Sequence, residues 1–104
     1  MAYKVEFSNR AFRSFQKLPK DVQRQFKPII DNLMDNPRPD GVTNIKELNK
    51  TYRLRVGDYR IIYSIFDDKL IILVLSIADR KDVYSTKEKK ILSQILKEWL
   101  IDNK

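Results

Sequence analysis

Polar and apolar side chains alternate with a period of two over residues 52–63, Tyr-Arg-Leu-Arg-Val-Gly-Asp-Tyr-Arg-Ile-Ile-Tyr. This alternation predicts two half-buried strands, and Gly57-Asp58 between them predicts a two-residue hairpin turn. Closing the hairpin there sets Val56 opposite Tyr59, Arg55 opposite Arg60 and Leu54 opposite Ile61. Arg53, Arg55 and Arg60 then share one face, and Tyr52, Leu54, Val56, Tyr59, Ile61 and Tyr63 share the other.

The pattern changes on either side of the hairpin. Tyr3, Val5 and Phe7 alternate as a short opening strand. Ser8 or Asn9 can cap a helix whose apolar positions are Ala11, Phe12, Phe15 and Leu18, and Pro19 ends it. Val22, Phe26, Ile29, Ile30, Leu33 and Met34 recur at spacings of three and four, which predicts a second amphipathic helix. Pro28 sits inside that helix and should kink it or shift its ends. Phe12, Phe15 and Phe26 read as core aromatics at helical spacing rather than as a stacking platform. Asn36-Pro37-Arg38-Pro39-Asp40-Gly41 is a loop. Beyond Ser64-Ile65-Phe66 and a tight connection at Asp67-Asp68-Lys69, residues 70–77 are almost continuously apolar, as a central strand covered on both faces requires. Ser85 and Glu88 form an S-x-x-E capping box before a last helix with the stripe Ile91, Leu92, Ile95, Leu96, Trp99, Leu100. The sum is β-α-α-β-β-β-α: a single small α+β domain over residues 1–104. An antiparallel hairpin builds its sheet, an αα-hairpin lies on one face and a C-terminal helix closes it.

Composition narrows the chemistry. The 104 residues suffice to bury roughly two-thirds of the unfolded surface without disulfides. Twenty-one Lys and Arg against fourteen Asp and Glu leave a formal charge of +7, which favours a polyanionic partner. Residues 46–60 concentrate cations: Lys46, Lys50, Arg53, Arg55 and Arg60 against Glu47 and Asp58. No window has 18 consecutive apolar residues and the first residues lack a signal-peptide layout, so a cytoplasmic protein with no membrane partner is expected. There is no cysteine, so disulfides and thiolate zinc sites are excluded. There is no histidine, which excludes a histidine base, a Ser-His-Asp triad and most transition-metal sites; no cofactor and no metal is expected.

The arginines carry the candidate chemistry. Like charges directly opposite across a strand pair are destabilising, so the Arg55 and Arg60 pair argues for a negatively charged guest such as phosphate. The alternative is a solvated basic face. Arg80 joins the arginine face only in one register. A two-residue loop at Asp67-Asp68 pairs Arg60 with Leu75 and leaves Arg80 on the other side. A three-residue loop pairs Arg60 with Ser76 and brings Arg80 over, and a bulge near Ala78 does the same.

The tract from Leu48 to Tyr63, with Arg80-Lys81-Asp82-Val83-Tyr84, the opening strand and the loop Asn36–Gly41, resembles the RelE/ParE toxin superfamily of toxin–antitoxin modules. It is most similar to the RelE-type branch. The resemblance implies a ribosome-dependent, metal-independent mRNA endoribonuclease (an mRNA interferase) that blocks translation. It cuts in the A site by attack of a 2′-hydroxyl on the adjacent phosphate, leaving a 2′,3′-cyclic phosphate and a 5′-hydroxyl. Arg55, Arg60, Arg80 and Tyr84 match the catalytic positions, with Lys46, Lys50, Arg53 and Lys81 as RNA- or ribosome-binding positions. The implied partners are a cognate antitoxin, in a toxin–antitoxin hetero-oligomer, and the ribosome with its mRNA. The antitoxin of such a toxin occludes this face or displaces the last helix.

The residues suit that reaction. Guanidinium forks on Arg55 and Arg60 engage two phosphate oxygens at once, Arg80 can neutralise the leaving oxygen, and Tyr84 can orient the nucleophile or stack on a base. Two departures from relatives bear on the base. Arg55 stands where many have lysine, and Asp79 where many have histidine; arginine does not deprotonate at neutral pH. Lys46, Lys50, Lys81 or Tyr84 is then the base, or positioning on a strained message replaces one. Two other readings keep the fold: a ParE-type inhibitor of DNA gyrase, and a non-catalytic module that binds antitoxin or RNA.

Overall fold

The computed structural model describes residues 2–79 and 85–103. Their order is β1 (Lys4–Phe7), α1 (Asn9–Gln16), α2 (Lys20–Asp35), β2 (Thr43–Asn44), β3 (Thr51–Val56), β4 (Tyr59–Phe66), β5 (Ile71–Asp79) and α3 (Thr86–Asp102). The α+β class and the order of the main elements match the hydrophobic pattern; the two-residue strand β2 is an addition too short for periodicity to reveal. One five-stranded sheet runs β1-β5-β4-β3-β2, with β1 parallel to β5 and every other neighbour antiparallel.

Each sheet face has its own core. α1 and α2 cover one face, where Ala11, Phe26 and Leu33 pack on Val56, Ile61, Tyr63, Ile65, Ile72, Val74 and Ile77. α3 covers part of the other, where Leu92 and Leu96 meet Ile45, Leu48, Ile62, Leu73 and Leu75. The apolar run of β5 follows: its side chains feed both cores in turn. Trp99 ends the second core by stacking on Phe66 at 4.7 Å and donating its indole N–H to Glu6.

Two expectations are corrected. Phe12 is 51% exposed rather than core. Ala11, Phe15 and Leu18 make the inward seam, and Phe12 projects about 100° around the helix from Ala11. Pro28 lies inside α2, which runs on to Asp35, and on its exposed side, where water can donate to the carbonyl its missing N–H leaves. The β4–β5 connection is a four-residue loop, Asp67 to Leu70, with Leu70 left-handed at φ 54°, rather than two or three residues.

A β-bulge compensates for the longer loop. Tyr63 pairs with Val74 but Ile62 pairs with Ser76, so Leu75 is the extra residue and Arg60 falls opposite Ala78. Ser8 fixes the bulge. Its backbone N–H donates to Val74, its hydroxyl donates to the Leu75 carbonyl at 3.0 Å, and the same oxygen caps α1 by accepting from the Ala11 N–H.

Candidate nucleic-acid interface

The hairpin has the register that its alternation implies: Val56 faces Tyr59, Arg55 faces Arg60, Leu54 faces Ile61 and Arg53 faces Ile62. Gly57 takes φ +61° at the first turn position, a conformation glycine adopts without a Cβ penalty. Val56 and Tyr59 close the turn, so Arg55 and Arg60 form a non-hydrogen-bonded pair, whose Cβ atoms lie about 5 Å apart. Both point to the face that α3 only partly covers. Arg55 is exposed, Arg60 and Arg53 half-buried. Among the described residues, no carboxylate forms an ion pair with Arg53 or Arg55.

The bulge shapes the neighbouring strand. Past Leu75, Ser76 and Ala78 stand on the arginine side opposite Ile62 and Arg60, so small side chains flank the guanidiniums. Ser8, Ser76 and Ala78 are the residues sequence reasoning missed. The available signal was the break in the bulky run at Ser76-Ile77-Ala78, next to a serine that can bond outside its own helix. Arg80, Lys81 and Tyr84 lie outside the described residues.

Lys46 and Lys50 do not join the arginines. The Lys50 carbonyl accepts from the Ile65 N–H, five residues along β4 from Arg60, or about 16 Å at strand rise. Lys50 is exposed there with a left-handed φ of 52°. Lys46 is exposed in the same loop, held by Ile45 N–H to Thr51 and by the Glu47–Lys89 ion pair at 2.6 Å. The sequence cluster of five cations is therefore two groups, one at each end of the hairpin.

That far end is fixed by matched charge. Arg38 donates twice to Asp67, at 2.8 and 3.3 Å, and once to the Tyr52 hydroxyl; the Tyr3 hydroxyl donates to Asp67 at 2.6 Å. Arg38 first, then Tyr3, hold the Asp67 carboxyl down at about 2. Hydrogen bonding to that carboxylate in turn raises the Tyr3 phenol. Burial pushes the Tyr63 phenol up, and its proton goes to the Pro37 carbonyl, so Tyr63 serves the core and the loop.

A small α+β fold with an arginine-bearing hairpin on a half-open sheet face defines a class of compact toxins. Residues 5–84 match the family described as the ParE toxin of the type II toxin–antitoxin system, parDE, and the chain belongs to this RelE/ParE toxin superfamily. It is 31% identical over 96 residues to the mRNA interferase toxin RelE of Escherichia coli K12, covering 88% of this chain and all of that protein. A putative RelE-like toxin protein of Escherichia coli is 36% identical over 89 residues, covering 82% of this chain and 93% of its own. Among solved structures, the archaeal RelE–RelB complex of Pyrococcus horikoshii OT3 gives a TM-score of 0.70 at 31% identity, over 80% of this chain and all of that one. The intact Escherichia coli RelBE toxin–antitoxin complex gives 0.68 at 26% identity, over 78% and 100%.

Proposed function

We propose that this protein is the toxin of a toxin–antitoxin module and an mRNA endoribonuclease that acts in the cytoplasm on message held in the ribosomal A site. Residues 1–104 make up one RelE-like toxin domain. The observation that carries the reading is the Arg55–Arg60 pair, two cations opposed across a strand pair on an open sheet face. The names of the relatives, an mRNA interferase and toxins in complex with an antitoxin, support the same activity and a cognate antitoxin partner.

Internal attack by a 2′-hydroxyl builds negative charge on the equatorial oxygens at phosphorus. Arg55 and Arg60 meet that charge, each with a planar fork suited to two oxygens. Arg53, one pleat further along, holds the neighbouring phosphate and so sets the strand's direction. Arg80 neutralises the departing 5′-oxygen, and Tyr84 orients the nucleophile or stacks on a base. Lys46 and Lys50 touch the RNA or ribosome beyond the scissile linkage, as does Lys81. At about 16 Å from Arg60, Lys50 is too distant to take the 2′-hydroxyl proton, which needs a partner within hydrogen-bond reach. Arginine at position 55 does not take it either. Lys81, Tyr84 or water then takes the 2′-hydroxyl proton as the P–O bond to the 5′-oxygen breaks, and the 5′-oxygen takes a proton from solvent; with the message aligned by the ribosome the reaction needs no metal and is negligible on free RNA.

Primer extension on a ribosome-bound message, with and without the protein, tests this. Cuts inside A-site codons with 5′-hydroxyl ends are expected, and none on the same RNA alone. The match to the ParE family model keeps gyrase inhibition as the competing activity. An intact message together with trapped, cleaved DNA in a gyrase assay would establish that activity instead.

A further inference from the structure

The start of α1 makes two long-range ties, and they fall on the two elements that residues 80–84 join. Ser8 binds β5 through Val74 and Leu75. Two residues later Arg10 reaches α3, 78 residues away in the chain: its Nη2 donates to both carboxylate oxygens of Glu88, at 2.8 and 2.9 Å. The side chains are only 36% and 22% exposed, so water screens this pair less than an ordinary surface ion pair. The helix itself does not need the contact. Ser85 already caps α3 by accepting from the Glu88 N–H at 3.1 Å, and the helix dipole favours a carboxylate in the first turn. What Arg10 adds is position.

We propose that Arg10, through Glu88, fixes the first turn of α3 and is thereby a positioning residue for cutting. The inference rests on the function proposed above, which uses Arg80 and Tyr84. Those residues belong to a connection of six residue steps from Asp79 to Ser85, at most about 20–22 Å when extended. Groups on so short a connection are placed only if both of its ends are. Asp79 is fixed by its pairing in the sheet opposite Tyr59. Ser85 opens a helix that lies on the sheet through Leu92, Leu96 and Trp99. Apolar packing is non-directional and leaves such a helix some freedom to slide, whereas a guanidinium bonded to two carboxylate oxygens fixes its end.

Misplacement of a reacting group by about 1 Å can cost about 10²-fold in rate. A contact of little weight in overall stability can therefore carry weight in the reaction. Glu47 adds a second, wetter tie to the same turn at Lys89, at 2.6 Å with more than half of its side chain in water. The far end of α3 supplies the contrast. There Trp99 donates to Glu6 at 3.3 Å and stacks on Phe66, about 16 Å along the helix from Glu88 and away from residues 80–84.

Single-turnover cutting of ribosome-bound message, over a range of ribosome concentrations, tests this with Arg10→Gln, Glu88→Gln and the double variant. Either single change should lower the maximal rate about tenfold and leave the half-saturating ribosome concentration unchanged, and the double variant should be no slower than the singles. Arg10→Lys should recover most of the loss, and Glu6→Gln, at the far end of α3, should change nothing. Melting temperatures should move by no more than about 4 °C. Arg10→Gln lowers the net charge and Glu88→Gln raises it, so an effect on RNA attraction would move the two variants in opposite directions. Such opposite shifts, a wild-type rate in either single variant, or additive losses in the double variant would overturn the proposal. Hydrogen exchange separates its failure from that of the nuclease reading. The Glu88 and Lys89 amides should exchange about tenfold faster in Arg10→Gln, and the Leu96 amide should not. That result beside a wild-type protein that leaves the message intact would refute the nuclease reading and uphold Arg10 as the group that fixes α3. Unchanged exchange beside normal wild-type cutting would overturn the role of Arg10 alone.

Discussion

The two ends of the β3–β4 hairpin carry similar charge and use it in opposite ways. At the Asp67 end, Arg38 meets Asp67, Lys69 meets Asp68 and Lys89 meets Glu47. There, charge fixes loops to the sheet. At the Gly57 end, Arg55 is set directly opposite Arg60, and no described carboxylate pairs with Arg53 or Arg55. There, like charges face each other across the strand pair, with Asp58 in the turn and Asp79 opposite Tyr59. Two cations set directly opposite each other on an open sheet face point to an external anion there, because stability and function commonly conflict at sites.

Substitutions at the two ends should therefore separate activity from stability. The largest effect is expected from Arg60→Ala, which in the proposed reaction removes a guanidinium from the scissile phosphate. Cutting of ribosome-bound message should fall about 10²–10³-fold, as for loss of one oxyanion donor, with antitoxin affinity near normal. Leu73→Ala, in the core under α3, should instead cost about 2–5 kcal/mol in denaturant unfolding, with the cutting rate of the remaining folded protein retained. Between them lies Ser8→Ala. It uncaps α1 and strips the Leu75 carbonyl of its partner, so a loss of about 1–2 kcal/mol is expected. Because the bulge sets what stands opposite Arg60, that variant should also cut more slowly, whereas Leu73→Ala should not.

The smallest effect concerns pH. The Asp67 carboxyl is depressed in the fold to about 2, so it binds a proton less readily folded than unfolded. Its stabilisation is complete above the ordinary carboxylate range near pH 4 and is lost as the pH falls from about 4 toward 2. The side chain is nearly half exposed, so solvent screening limits the contribution to about 0.5–1 kcal/mol. Asp67→Asn should remove that part of the acid dependence, seen as a flatter melting temperature between pH 4 and 2. Cutting at neutral pH should not change.

How far the sequence disclosed this arrangement differs by element. The hairpin register was legible because period two and a Gly-Asp turn leave one closure that keeps Leu54, Val56, Tyr59 and Ile61 together. The long helices and β5 were legible from their apolar spacing. The β4–β5 connection was not. A loop of two, three or four residues fits Asp67 to Leu70 equally well, and the bulge at Leu75 depends on Ser8, distant in sequence. Phe12 was misread because α1 is short, and a residue about 100° from the seam is apolar without being covered. The cation cluster of residues 46–60 was half legible. Arg53, Arg55 and Arg60 share a face, but Lys46 and Lys50 belong to a loop whose path only tertiary packing fixes.

One substitution bears most directly on the claim that the opposed arginines exist for a guest. Arg55→Thr relieves the like-charge pair and places a β-branched residue in the strand. The account predicts that unfolding free energy stays level or rises by about 0.2–1 kcal/mol, while cutting of A-site message drops at least tenfold. A protein that is destabilised by the change, or that cuts as fast as before, would contradict it.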